Sequence, residues 1–263
     1  FVWYKDLDNV KRIATTHGCP DLTYSNTFTF DPAEFAHLPR PSSFPRECTW
    51  PPRTATDLFI AVGDECDECV GDKCYTETIC HDEFCGHTLP AWERETRAWE
   101  EKFELRMTPD RGIGVLTKSA FRRGTVLGYY TGVVRPALAT LQSDYLMEME
   151  IGKIPEVDKY LSGPLMKGND TVIIDGKEKG NWTRFINHHC KPYCTFRIRR
   201  VGKVRIMVVE TVRDVPAGVE LTVDYGAEYY GQTDLVCMCG AANCVSKKRK
   251  GKKGPRTKRS SRR

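Results

Sequence analysis

Nowhere in the 263-residue chain do 18 apolar residues run together, so the sequence supports no membrane-spanning helix. An initiating methionine is also missing: the chain opens Phe1-Val2-Trp3, as a fragment or processed form would, and the lack of a leader says nothing about the full-length product. Helical patterns of 10–15 residues do not separate the strand-like runs, which argues against a doubly wound parallel sheet. No internal repeat is visible. Acidic residues vanish from one region, residues 246–263, which carry Lys247, Lys248, Arg249, Lys250, Lys252, Lys253, Arg256, Lys258, Arg259, Arg262 and Arg263 without a single Asp or Glu.

The net charge of +5 therefore conceals an asymmetry: residues 1–245 hold 29 basic against 35 acidic side chains. Like-charge repulsion and Gly, Pro and Ser content predict a disordered tail. Such a tail serves solubility alone, or nuclear targeting, or sequence-independent contact with DNA phosphates through counterion release. The acidic body suits a basic peptide. With 40% apolar residues the body can bury a core.

Twelve cysteines fall in two groups: Cys19, Cys48, Cys66, Cys69, Cys74, Cys80 and Cys85, then Cys190, Cys194, Cys237, Cys239 and Cys244. Six disulfides would use them all, as in a secreted protein. Cys66-x2-Cys69 and Cys237-x-Cys239-x4-Cys244 have instead the tight spacing of thiolates around one tetrahedral zinc. The C-terminal three are one ligand short, and Cys190 completes the set. The early seven match two zincs that share a bridging thiolate, with His81 or His87 as substitutes for the distant Cys19 and Cys48. Cys194 is then left over.

Residues 1–60, rich in Pro, Ser and Thr, read as an irregular, loop-dominated lead-in. A helix is predicted from Pro90 to Glu101, with Trp92, Glu95 and Trp99 near one face. Alternation at Phe103, Leu105 and Met107, then the β-rich runs 126–130, 145–151, 172–174, 195–199, 204–209 and 221–223, predict a compact, mostly β body with few helices. Residues 152–170, with Pro155, Gly163, Pro164 and Gly168, read as a loop or insertion between strands.

The chemistry concentrates in Gly180-Asn181 and Arg184-Phe185-Ile186-Asn187-His188-His189-Cys190, where an amide, an imidazole and a thiol can touch a polar cofactor and a metal together. With Arg111-Gly112-Ile113-Gly114-Val115, Tyr129-Tyr130-Thr131-Gly132, Asp144-Tyr145-Leu146-Met147 and Glu220-Leu221-Thr222-Val223-Asp224-Tyr225-Gly226, and then the three-cysteine loop, the order of motifs resembles SET-domain protein-lysine methyltransferases. The resemblance covers residues 103–245. It implies a β-fold of several small sheets with a pseudoknot, and divides the chain into the lead-in (1–60), a Cys-rich pre-SET-like or associated-with-SET-like zinc region (61–90), the SET domain (91–230), a post-SET zinc loop (231–245) and the basic tail (246–263).

By resemblance, S-adenosylmethionine is held by Arg111, Gly112, Ile113, Gly114, Tyr145, Arg184, Phe185, Asn187, His188, Tyr225 and Met238. Tyr225 is the expected catalytic tyrosine and Tyr130 and Tyr145 pocket tyrosines. Cys190, Cys237, Cys239 and Cys244 hold one zinc. Cys19, Cys48, Cys66, Cys69, Cys74, Cys80 and Cys85 hold two more. The expected substrate is a lysine of a histone tail, in nuclear chromatin, with nucleosomal DNA met by the basic tail. A sulfonium methyl is already activated, so alignment and a neutral amine are the main needs. Only about one lysine in 10³ is neutral at pH 7, which a desolvating pocket improves.

Four positions depart from the family pattern: Ile113 where Trp is usual, Val133 where an acid is common, Lys191-Pro192-Tyr193 for Asp-Pro-Asn, and Val223 where Phe or Tyr limits methyl number. The small Val223 is expected to enlarge the pocket and allow di- or trimethylation. The competing reading is a zinc-stabilised chromatin-binding module of the same fold without turnover.

Overall fold

The computed structural model describes residues 2–14, 22–60, 69–71, 80, 85–137, 141, 143–152, 171–226, 229–230 and 236–246. Cys19, Cys66, Cys74, His81, most of the expected insertion and the polybasic tail lie outside the described residues. Four short strands come first: β1 (Trp3–Lys5), β2 (Lys11–Ile13), β3 (Thr23–Tyr24) and β4 (Thr29–Phe30). Helices α1 (Ala55–Leu58), α2 (Leu89–Thr96) and α3 (Trp99–Lys102) follow. The remainder is strand: β5 (Phe103–Met107), β6 (Ile113–Thr117), β7 (Val126–Tyr129), β8 (Val133–Pro136), β9 (Leu146–Glu150), β10 (Thr171–Asp175), β11 (Lys179–Gly180), β12 (Asn187–His188), β13 (Cys194–Val201), β14 (Val204–Thr211) and β15 (Glu220–Val223).

The architecture is mostly β, in several small sheets. Their strand orders are β12-β15-β6-β5-β1-β2, β4-β8-β10-β9, β11-β3 and β13-β14-β7. Alternation in β5 sends Phe103 and Leu105 inward, and β14, buried along its whole length, takes the central place in its sheet.

The lead-in has little regular structure but is built into the body. Strand β1 pairs parallel to β5, β4 to β8 and β3 to β11. Phe35, Phe44, Leu58 and Phe59 from the same stretch are buried in a core with Trp92, Tyr129 and Ile174. A second core gathers Trp99, Phe103, Leu127, Trp182, Phe185, Ile186 and Val223. The helix predicted over 90–101 is broken between α2 and α3, and the break sends Trp92 into the first core and Trp99 into the second.

Tyr129 ties helix, lead-in and core together. Its hydroxyl meets both the Asn26 carbonyl and Glu93 Oε1, the latter at 2.8 Å. A phenol has one proton to give, and burial holds the Glu93 carboxyl above its ordinary value against the opposing pull of Tyr129 and Arg97. A carboxyl whose folded pKa is raised is favoured neutral by folding. Its contribution is complete below the ordinary carboxylate range and is lost as pH climbs through the raised value. Urea melts at pH 5 and pH 8 should therefore show Glu93→Gln gaining on the wild type as pH rises, and a constant gap would contradict this.

Candidate active site

The stretch from Gly180 to Cys190 is shaped by its own first residues. The Asn181 side chain accepts from the Thr183 amide at 3.0 Å, capping a 3-10 turn over Trp182–Phe185, and donates to the Tyr129 carbonyl at 2.8 Å. Trp182 is the plug: fully buried, it stacks on Phe103 at 4.4 Å, and a Cβ on Gly128 would come within 2.8 Å of its ring. The chain then enters β12, which runs parallel to β15 with Asn187 opposite Thr222 and His188 opposite Val223. Among the described residues β12 is the outer strand of its sheet.

One carboxylate joins the segments. Glu220 takes Arg111 at 2.7 Å through Oε2 and the Asn187 amide at 2.9 Å through Oε1. The same Asn187 amide reaches the Ile113 carbonyl at 3.3 Å, and Arg111 reaches the His188 carbonyl at 3.3 Å. Since both acceptors around Asn187 are oxygens, its NH2 faces them and its amide oxygen is turned elsewhere. Gly114 is required by this crossing: a Cβ there would meet Glu220 at 2.6 Å and Asn187 at 3.1 Å. Gly112, at φ 72°, turns the chain with nothing within 4 Å of where its Cβ would stand.

These groups open on a cavity of about 680 Å³, within the range of sites for drug-sized ligands. Arg111, Gly112, Ile113, Asn187 and His188 line one part and Tyr130, Tyr145, Phe196, Tyr225 and Tyr229 another. Tyr225 is 37% exposed, and its hydroxyl donates to the Ile186 carbonyl at 2.8 Å. Tyr130 donates to the Tyr145 carbonyl at 2.8 Å. Loss of solvent pushes both phenols well above their ordinary value, Tyr225 with added repulsion from Tyr229 and Tyr230, so both stay protonated and act as donors. Arg184 is buried, donates to Gly176 O at 2.6 Å and lies 3.9 Å from the Tyr145 ring centre, which fixes that ring.

Two clusters of candidate metal ligands form among the described residues, one of them built on Cys190 next to β12. The ligand atoms of Cys190, Cys237, Cys239 and Cys244 lie within 4.8 Å of one another, as do those of Cys69, Cys80, Cys85 and His87. A tetrahedron with metal–sulfur bonds of 2.3 Å has edges of about 3.8 Å. Cys190 and Cys237 Sγ are 3.8 Å apart, Cys69 and Cys85 Sγ 3.6 Å, and Cys69 Sγ and His87 Nδ1 3.7 Å. Both sets fit zinc. Backbone amides already point at the sulfurs, Val245 at Cys190 (3.4 Å) and Gly71 and Gly202 at Cys69 (3.4 and 3.3 Å). Although burial pushes them up, hydrogen bonds outweigh it and draw Cys85 and Cys239 down to about 7, so each cluster has one thiol that ionises near neutrality.

Residues 112–226 match the family model of the SET domain. The chain carries a SET domain. Similar proteins include a histone-lysine N-methyltransferase, H3 lysine-4 specific, of Eremothecium gossypii, 33% identical over 123 residues, which are 45% of this chain and 12% of that protein. The histone-lysine N-methyltransferase NSD3 of Mus musculus is 31% identical over 174 residues, 63% of this chain and 11% of its own length. A Mus musculus histone-lysine N-methyltransferase, H3 lysine-36 specific, is 31% identical over 186 residues, 67% and 6%. The chain thus spans about a tenth of the length of these relatives.

Of the residues expected at the site, Arg111, Gly112, Ile113, Tyr130, Tyr145, Arg184, Phe185, Asn187, His188 and Tyr225 share the cavity wall. Gly114 stands behind it, and Met238 is 55% exposed and off the wall. Among the early cysteines, Cys69, Cys80 and Cys85 come together with His87, while Cys48 packs partly buried against the first core. Cys194 stays apart, its thiol pushed up to about 12 by burial.

The departures in this SET domain have local answers. Ile113 contributes its carbonyl, which any side chain permits. At Tyr193 the lost asparagine is replaced by Arg213, which lies 3.9 Å from the Tyr193 ring and donates to Pro192 O and Lys191 O at 3.0 and 2.8 Å. Val223 is fully buried in the second core and is not among the residues of the cavity wall, which include Phe196. Phe196, Tyr229 and Tyr230 join the wall without a sequence motif to mark them beyond the aromatic pair closely following Tyr225, whereas Asp144 belongs to the motif that carries Tyr145. Elemental analysis should find that Cys237→Ser and His87→Ala each remove one zinc per chain; unchanged metal content in either would refute that cluster.

Proposed function

We propose that this chain transfers a methyl group from S-adenosylmethionine to the ε-amine of a lysine in a histone tail, acting in nuclear chromatin. The observation that carries the reading is the convergence on one cavity of the Gly112 turn, the Asn187–His188 edge and Tyr225 with Tyr130 and Tyr145. The names of similar proteins, specific for H3 lysine-4 or lysine-36, support histone as the substrate class.

The donor supplies its methyl already activated as a sulfonium substituent. Arg111, Gly112, Ile113, Asn187 and His188 would hold it, with the open face of Gly112 admitting a polar ligand closely. The aromatic side of the cavity, walled by Tyr130, Tyr145, Phe196 and Tyr229, would strip water from the incoming lysine and lower its pKa toward neutrality. Tyr225 and Tyr130, kept protonated and giving their single protons to the Ile186 and Tyr145 carbonyls, would orient the amine by accepting its N–H and do not serve as bases. The ammonium proton therefore leaves to solvent, and the rate should rise with pH as the bound amine deprotonates. The two sulfur clusters would each take one zinc, the C-terminal one holding the post-SET loop against β12.

A module of the same fold without turnover is the alternative, favoured only by the departures at Ile113 and Tyr193. Labelled S-adenosylmethionine with histone peptide arrays separates the two. Methyl transfer that falls about 10²-fold in Tyr225→Phe supports the enzyme, a magnitude in keeping with the loss of one aligning contact. Cofactor binding without transfer by the wild type would establish the module.

A further inference from the structure

His188 has no ring nitrogen left for a ligand. Its Nδ1 accepts the Tyr225 amide at 3.1 Å, and its Nε2 lies 3.2 Å from Cys190 Sγ. An amide can only donate, so Nδ1 carries no proton and the hydrogen sits on Nε2, facing the sulfur. The other groups around the ring do not compete for these atoms. Asp224 Oδ1, 3.6 Å from Nδ1, takes the Gly226 amide at 2.9 Å, while Tyr225 and Tyr230 meet the ring at 5.5 and 4.7 Å between centres. The residue is 3% exposed, too enclosed to swing to other partners.

We propose that His188 is a positioning residue, a rigid strut that ties the C-terminal cysteine cluster to the main chain of Tyr225. The Tyr225 amide fixes Nδ1 as an acceptor, so Nε2–H faces Cys190 Sγ at 3.2 Å and the buried ring is pinned at both ends. The cluster then does more than staple a loop: through one imidazole it sets where the Tyr225 hydroxyl lies against the cavity. The effect on turnover rests on the methyl-transfer reading; the strut itself does not.

The test uses the whole chain loaded with cobalt(II) in place of zinc, as wild type, His188→Ala and His188→Gln. Losing a hydrogen bond raises the energy of the sulfur electrons. The thiolate-to-cobalt charge-transfer band should therefore move to longer wavelength in His188→Ala and stay in place in His188→Gln, whose side-chain amide can still donate. The cluster of Cys69, Cys80, Cys85 and His87 is untouched and cancels in the difference spectrum. In the Ala variant the Tyr225 amide should exchange with deuterium about tenfold faster, as loss of one hydrogen bond implies, while the Val115 and Val209 amides stay as in the wild type. An unmoved band, or an unchanged Tyr225 amide, overturns the proposal. If the Ala variant does not fold, His188→Asn keeps the acceptor for Tyr225 but is too short to reach Cys190. It should shift the band with Tyr225 still protected, and an unshifted band again overturns the strut. A wild-type chain that shows these responses but transfers no methyl would defeat the methyl-transfer reading alone.

Discussion

Two residues of backbone, Asn187 and His188, lying parallel to Thr222 and Val223, hold this site together. Parallel neighbours cannot be joined by a tight turn, so the β13–β14 hairpin must be spanned before the chain returns as β15. That detour brings Tyr225 back beside a strand laid down nearly forty residues earlier. The polar contacts of Glu220 at the crossing then join three segments: Glu220 from β15, Arg111 from the β5–β6 turn, and Asn187 from β12.

So short a contact has little apolar area to stabilise it, and the structure compensates on both sides. Inward, Trp182, Phe185 and Ile186 bury the preceding turn in the second core. Outward, Cys190 reaches three cysteines of the C-terminal loop, which carries the exposed Val236 and Met238 and buries little but Cys237 and Cys244. A segment with so little core is one that a metal orders more effectively than packing does. The second cluster repeats the device at the far end of the β13–β14 hairpin, where Cys69 pairs with Arg200 and accepts from Gly202.

Much of this was legible from residue order. Strands with apolar alternation or a high share of β-branched residues, such as β5 and β14, are where local pattern and tertiary environment agree. The Asn-His-x-Cys tetrapeptide and the three-cysteine loop marked the site because ligand chemistry allows few residue types. What could not be read was whatever depends on direction in space. Residues 1–60 lack periodicity, since two- and three-residue strands hold too few positions to show one, yet they pair with three sheets. The helix over 90–101 had a consistent amphipathic face, but two separate cores claimed its tryptophans. Val223 was judged by its position relative to Tyr225, whereas the pleat turns its side chain into the core. Among the described residues His87 joins Cys69, Cys80 and Cys85, a proximity that sequence spacing does not encode.

The three parallel pairings made by the lead-in bear on how much of the chain can be handled separately. Strands β1, β3 and β4 each occupy a flank of β5, β11 or β8 that would otherwise present a bare row of amides and carbonyls. A piece cut to residues 112–226 would lose β5 outright and carry the raw flanks of β8 and β11 into solution, together with the apolar faces that Phe35 and Phe59 cover, and would be prone to stick to its own copies. The independently stable unit is thus larger than the catalytic motif set, because it includes the stretch that contributes least to the chemistry.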